Sequence, residues 1–282
     1  MKNPRLHRCA VLFALSVLLL IATGASLTSV IRPLPGTPPA DAATAPPEIA
    51  AQLERAHGIL AGFVAVLAFA LALAAPTGLR LPAWTAAGLV VADGALGIHR
   101  AAGSLPPVAG VFHALLAPIL FSTAVAIAVF TSKSWLAPPV PAENRRPPLR
   151  KLAIWVPVLL VAQIALGAAF RHGAMGVVWH ILNAMVVLIP ILVLGISLLR
   201  LYPKHPTLRP AALALLIITG VQALLGFAVY ITLLMVSENN TALIAAGTIH
   251  VLTGSLTLAA AIVVTVQLRR GVPAIDSQEG GR

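Results

Sequence analysis

Long apolar stretches fill most of the chain, and only short polar breaks separate them. Eight stretches are long enough to cross a hydrocarbon core of about 30 Å, which takes about 20 mostly apolar helical residues. They cover residues 9–31, 57–75, 82–98, 108–130, 152–170, 177–199, 210–234 and 244–267. The breaks carry proline, glycine and charge, as between Pro33 and Pro47. The pattern predicts an all-α integral membrane protein with eight transmembrane helices.

The composition supports a lipid environment, since 59% of the 282 residues are hydrophobic and 10% are charged. A net charge of +11 is typical of nucleic-acid binding, but here the charge is segregated by loop. Of the nineteen Lys and Arg residues, four fall on the side opposite the N-terminus: Arg32, Arg55, Arg100 and Arg171. The positive-inside rule then predicts a multi-pass protein of a bacterial-type inner membrane, with both termini cytoplasmic and no nucleic-acid partner.

The N-terminal segment has two interpretations. Residues 1–25 have the basic start, apolar run and small residues of a cleaved signal peptide. The apolar run from Cys9 to Ile31 is long for a signal core and fits an uncleaved anchor better. Cys9 is the only cysteine, so the sequence offers no intrachain disulfide and no thiolate metal site.

A short motif, a polar residue followed by x-x-Leu-Gly, recurs on the third, fifth and seventh stretches. Its copies are Asp93 to Gly97, Gln163 to Gly167 and Gln222 to Gly226. Such a repeat predicts two pseudo-symmetric four-helix bundles. The predicted organisation is an N-terminal bundle at 1–132, a cytoplasmic linker at 133–151, a C-terminal bundle at 152–268 and a cytoplasmic tail at 269–282.

Each even-numbered stretch carries a histidine near its outer end: His57, His113, His180 and His250. Two inward histidines at one level of a four-helix bundle can supply both axial ligands to a haem iron. We therefore expect His57 to pair with His113, and His180 with His250. The alternatives are interfacial histidines that meet headgroups, and zinc, which fits less well because the pairs lack obvious carboxylate or cysteine partners.

Further polar residues near these histidines are candidates for the site. Glu54 lies three residues before His57, so on a helix both share one face, and Glu54 can act as a base, a nucleophile or a support for the imidazole. The alternative is an acid favoured by the helix dipole. Arg100 and Arg171 lie in outer turns, where an arginine can bind a haem propionate or simply anchor the interface.

The Glu-x-x-His motif at 54–57, the repeated Gln-x-x-Leu-Gly, the Arg-His pair at 171–172 and the four histidines together resemble the haem A synthase family. The resemblance covers nearly the whole chain. It implies a membrane oxidoreductase that converts the methyl group of haem O to a formyl group, making haem A for cytochrome oxidase biogenesis. The implied partners are haem O, haem O synthase and a quinone or other electron carrier, and a homo-oligomer is left open.

The resemblance also implies roles for individual residues. His57 and His113 would bind the substrate haem, and His180 and His250 would hold a permanent haem b. Glu54 would be the catalytic carboxylate in the outer loop that leads into the second helix.

Some features depart from the family's pattern. Gly58 stands where the family usually has an arginine, Asp93 replaces the glutamine of the other two repeats, and the outer-loop cysteine pairs of many members are missing. The alternatives are a non-catalytic haem-binding factor of oxidase assembly and a di-haem electron-transfer protein. A transporter ranks last, because no paired Gly/Pro interruption lies at mid-membrane.

Overall fold

The computed structural model describes residues 3–31, 47–101, 106–136, 148–235 and 241–270, without the side chains at 99–101 and 107. Within these ranges the chain is helical and contains no strand. Eight long helices follow one another along the chain. They are α1 (Pro4–Ile31), α2 (Pro47–Ala74), α3 (Arg80–Ala101), α4 (Pro107–Thr131), α5 (Leu149–Arg171), α6 (Val177–Leu201), α7 (Leu208–Met235) and α8 (Thr241–Arg269). All eight are long and apolar enough to cross a membrane, as the hydropathy pattern predicts.

The main difference from the predicted boundaries is at the start of α2. The apolar pattern begins at residue 57, but the helix begins at Pro47. Proline suits the first turn of a helix, and residues 48–56, which follow it, are mostly good helix formers and contain no glycine. Hydropathy detects only the apolar part of such a helix. Glu54 therefore lies inside α2, and its expected place in a loop was wrong.

Three helices, α1, α4 and α8, contact several neighbours each. α1 packs on α2, α4 and α8, α4 packs also on α3, α5 and α8, and α8 packs also on α5 and α7. The contacts of α2 with α3, α5 with α6 and α6 with α7 join the remaining helices. One cluster of buried side chains lies around Phe13 and Leu120 and includes Ala259 of α8, and a second lies around Leu194 and Leu215.

The outer surface of the helices is strongly apolar. Exposed residues on it include Ile59, Leu73, Ile98, Met185 and Phe227. A surface of this kind would associate in water, whereas in a bilayer it meets lipid chains. The apolar exterior supports a lipid bilayer environment for the chain.

Contacts between helix ends show an up-and-down arrangement. His7 in α1 bonds to Thr131 at the end of α4, with 3.0 Å between Nδ1 and Oγ1. At the same end, Arg270 after α8 donates to the carbonyl of Ser134, which follows α4, at 3.2 Å. The first turns of even-numbered helices therefore lie at the opposite end, which we call the histidine end because the four histidines lie toward it.

The predicted boundary segments are described only in part. A single-turn 3-10 helix, Lys133–Leu136, follows α4, and residues 137–147 of the predicted linker lie outside the described residues. The predicted tail beyond residue 270 lies outside them as well.

Candidate functional site: two histidine pairs

The four histidines form two pairs of nearly identical geometry. The ring centres of His57 and His113 are 6.4 Å apart with an interplanar angle of 83°. Those of His180 and His250 are 6.2 Å apart, also at 83°. Each histidine lies in the N-terminal half of an even-numbered helix and is partly buried. The first pair lies between α2 and α4, and the second between α6 and α8.

A glycine on the preceding odd-numbered helix lies against each imidazole. A Cβ placed on Gly167 would lie 2.9 Å from Cε1 of His180, and one on Gly226 would lie 3.0 Å from Cε1 of His250. In the first pair, the corresponding distances are 2.8 Å from Gly24 to His57 and 3.3 Å from Gly97 to His113. The Leu-Gly pairs of the repeated motif therefore make room for imidazole rings as well as for helix packing.

In two of the three motifs, the backbone carbonyl of the polar residue lies against the histidine that the glycine of the same motif contacts. Nδ1 of His113 lies 3.1 Å from the carbonyl oxygen of Asp93, and Nδ1 of His180 lies 3.2 Å from that of Gln163. Nδ1 of His250 makes no hydrogen bond within the described residues, and its Nε2 lies 3.3 Å from the amide nitrogen of Gln222. Donation from Nδ1–H to a carbonyl leaves Nε2 as the ring's electron-pair donor.

Side-chain amides surround the second pair. The Gln163 amide nitrogen lies 3.1 Å and 3.4 Å from the two ring nitrogens of His180, so it packs over the ring face, and it donates to the His180 carbonyl at 3.0 Å. The Gln163 amide oxygen accepts a hydrogen bond from Asn183 at 2.8 Å. On α7, the amide oxygen of Gln222 accepts from the hydroxyl of Thr253. This region therefore provides neutral hydrogen-bond partners.

The ring spacing fits two ligands on one iron. A metal–imidazole bond is about 2.0 Å long and the ring centre lies about 1.2 Å beyond the nitrogen, so two axial imidazoles have centres about 6.4 Å apart. Edge-to-face ring pairs span a range of about 4.5–7 Å as well, so the spacing alone does not select iron. The Nδ1–carbonyl contacts of His113 and His180 add the orientation that is typical of metal-bound histidine.

The described residues hold no cluster of three or more His, Cys, Asp or Glu side chains that could bind a metal ion. A structural zinc site uses four protein ligands, and a catalytic one uses three. A haem iron needs only two axial ligands, because the porphyrin supplies the other four. The donor sets therefore fit haem better than a bare metal ion.

Glu54 lies on α2 one turn before His57, and its side chain is exposed. The structure gives it no hydrogen bond or ion pair with the residues it describes. Its carboxylate is therefore not committed to a structural contact within the described ranges, and its catalytic role stays a prediction.

The two predicted arginines lie at the ends of α3 and α5. Arg171 donates from Nη2 to the carbonyl of Thr28 at 2.8 Å and so connects α5 to α1. Its neighbour His172 is buried against Gly110 of α4. The side chain of Arg100 lies outside the described residues. Propionate binding by either arginine stays a prediction.

The sequence pattern missed the residues of α1 that contact His57. Thr23 lies with Oγ1 3.1 Å from Nδ1 of His57, and Gly24 lies against the ring. α1 lacks the polar-x-x-Leu-Gly motif, so the repeat does not identify these residues. The available signal was Gly24, a glycine inside an apolar helix that comes directly before a histidine-bearing helix.

No protein-family model matches the chain, and no curated protein matches its sequence significantly.

Proposed function

We propose that the chain is a haem A synthase-like membrane oxidoreductase that converts the methyl group of haem O to a formyl group. His57 and His113 bind the substrate haem, and His180 and His250 hold haem b. The observation that carries this proposal is the matching geometry of the two histidine pairs, which combines ring-centre distances of 6.4 Å and 6.2 Å with Nδ1–carbonyl contacts at His113 and His180. Each pair would hold one haem iron between two imidazoles.

The proposed architecture is two pseudo-symmetric four-helix bundles in a bacterial-type inner membrane. Within the described residues, every closely packed pair of long helices has a counterpart when α1 to α4 are exchanged with α5 to α8, which supports this arrangement. An even number of spans puts both termini on one side. The excess of Lys and Arg in the segments at that end supports a cytoplasmic location.

With water as the source of the oxygen atom, the conversion of a methyl to a formyl group is a four-electron oxidation that also releases four protons, so it needs an electron acceptor, here a quinone or another carrier. When bound at the second pair, haem b supplies one-electron redox chemistry. The glycines beside the rings hold the imidazoles in place. Glu54 shares a helix face with His57, and its carboxylate accepts a proton released near the substrate methyl group.

A di-haem electron-transfer protein is the second candidate. The observation that favours it is the near identity of the two pairs, which differ by 0.2 Å in spacing and share one interplanar angle. Two histidines in each pair would hold a haem iron, which would supply one-electron transfer as in cytochromes that only transfer electrons. In that case both haems are permanent, and Glu54 has no catalytic role.

The experiment that tests the proposal is optical spectroscopy and haem extraction on protein co-expressed with a source of haem O. Wild type should contain haem A and a low-spin haem b. Glu54→Ala should lower the haem A yield at least about 100-fold, because a positioned acid or base contributes about 10² to 10⁴ in rate, with the haem b signal retained. Glu48→Ala is the matched control, an exposed glutamate on the same helix.

The other outcomes discriminate between the candidates. Haem b alone in wild type and in Glu54→Ala would support the electron-transfer candidate. Equal haem A in wild type and Glu54→Ala would remove Glu54 from the mechanism. Protein without any haem would contradict the ligand assignment of all four histidines.

A further inference from the structure

The two histidine pairs differ in the charge that surrounds them. In the first pair, Oδ1 of Asp93 lies 2.7 Å from Nδ1 of His113. In the second pair the same motif position is held by the neutral amides of Gln163 and Gln222. The ring geometry is nearly the same in both pairs, so the carboxylate makes the two pairs differ in charge.

The Asp93 carboxylate is buried, with 5% of the residue exposed. Its Oδ1 approaches Nδ1 of His113 at 2.7 Å and has no other polar partner within the part of the chain that the structure describes. A buried carboxylate is costly unless a positive charge lies near it. Nδ1 of His113 also lies within hydrogen-bond distance of the Asp93 carbonyl. Asp93 therefore contacts Nδ1 of His113 with both its backbone and its side chain.

We propose that Asp93 is a positioning residue that acts through His113 and stabilises the oxidised form of an iron held by His57 and His113. This inference rests on the haem ligation proposed above. A carboxylate beside Nδ1 makes a ligating imidazole a stronger electron donor. Negative charge near the metal also favours the more positively charged iron, and hydrogen bonding around the axial ligand is one of the means by which a protein sets a haem potential. The haem at the first pair therefore has a lower reduction potential than the haem at the second.

The test is a reductive titration of the full-length protein with haem b bound at both pairs, followed by its optical spectrum. Wild type should titrate as two components. Asp93→Asn keeps the shape of the side chain and removes its charge. It should raise the potential of one component by at least 59 mV, which is a tenfold change in a one-electron equilibrium, and leave the other component in place.

A second variant tests the effect of a negative charge at the second pair, where the Gln222 amide nitrogen lies 3.3 Å from Nε2 of His250. Gln222→Glu adds a carboxylate at the equivalent motif position and keeps the oxygen that accepts from Thr253. It should lower the potential of the other component by a comparable amount. Asp93→Glu, which keeps the charge, should leave the first component near its wild-type potential.

The outcomes separate this inference from the proposed function. Two bound haems with unchanged potentials in Asp93→Asn, or equal shifts of both components, would overturn the role of Asp93 and leave haem binding intact. If Asp93→Asn binds no haem at the first pair, the Gln222→Glu variant provides the test. An unchanged reduction potential of its second component would then overturn the inference. Shifted potentials without any haem A formation would support Asp93 while the synthase proposal fails. Protein that binds no haem would overturn both.

Discussion

Gly167→Ala tests whether the repeated glycines exist to make room for the imidazole rings. The new methyl group would lie 2.9 Å from Cε1 and 3.0 Å from Nδ1 of His180. Ordinary contacts between carbon atoms are about 3.5–4.0 Å, so the ring or its helix must move by about 0.6–1 Å. Both contacting atoms belong to a rigid ring, and rotation of a flexible chain end cannot relieve the overlap.

The expected cost follows from overpacking in a close-packed interior, about 1–3 kcal/mol. If the methyl group displaces the His180 ring, the whole cost appears in haem binding, and the affinity for haem at the second pair falls about 5-fold to 150-fold. The structure also predicts a graded series. Gly24→Ala, at 2.8 Å, and Gly226→Ala, at 3.0 Å, should act like Gly167→Ala, whereas Gly97→Ala, at 3.3 Å, should have the smallest effect.

The assay is haem content per protein after purification, with the thermal midpoint of the detergent-solubilised protein measured in parallel. Gly220→Ala is the matched control, because a Cβ there meets nothing within 4 Å. It should retain haem and gain up to about 1 kcal/mol from the higher helix propensity of alanine. Full haem content and an unchanged spectrum in both Gly24→Ala and Gly167→Ala would refute the reasoning.

Three further predictions concern single contacts. Gln163→Ala removes the amide that packs over His180 and should weaken the binding free energy of haem at the second pair by about 1–3 kcal/mol. Haem titration measures this change, and an unchanged affinity would contradict the prediction. Arg171→Gln removes the charged hydrogen bond to the Thr28 carbonyl and should destabilise even the haem-free protein by about 1.5–3 kcal/mol, seen as a lower thermal midpoint. If only the haem-loaded protein loses stability, the arginine serves the ligand and not the α1–α5 contact. His250→Ala should halve the haem content and remove one component of the redox titration, and loss of both components would mean that the pairs are not independent sites.

Much of the fold follows from local properties of the sequence. A backbone in lipid must satisfy its own hydrogen bonds, so long apolar segments form helices, and their number and order are readable before any packing is known. The start of α2 was not readable in this way. Residues 47–56 mix apolar residues with Glu48, Gln52, Glu54 and Arg55, and their helical form depends on helix propensity rather than hydropathy.

The sequence by itself determined that four histidines occur at similar depth on alternate helices, because an even-numbered span always enters from the same side. It also determined the repeated motif, since this is a matter of spacing along single helices. Only the tertiary structure decided which groups touch each ring: the glycine of the neighbouring helix, Thr23 beside His57 and the Asp93 carboxylate beside His113. The reason is physical, because helix periodicity sets which residues share a face, whereas contacts at 3 Å depend on how two helices rotate and slide against each other when they pack.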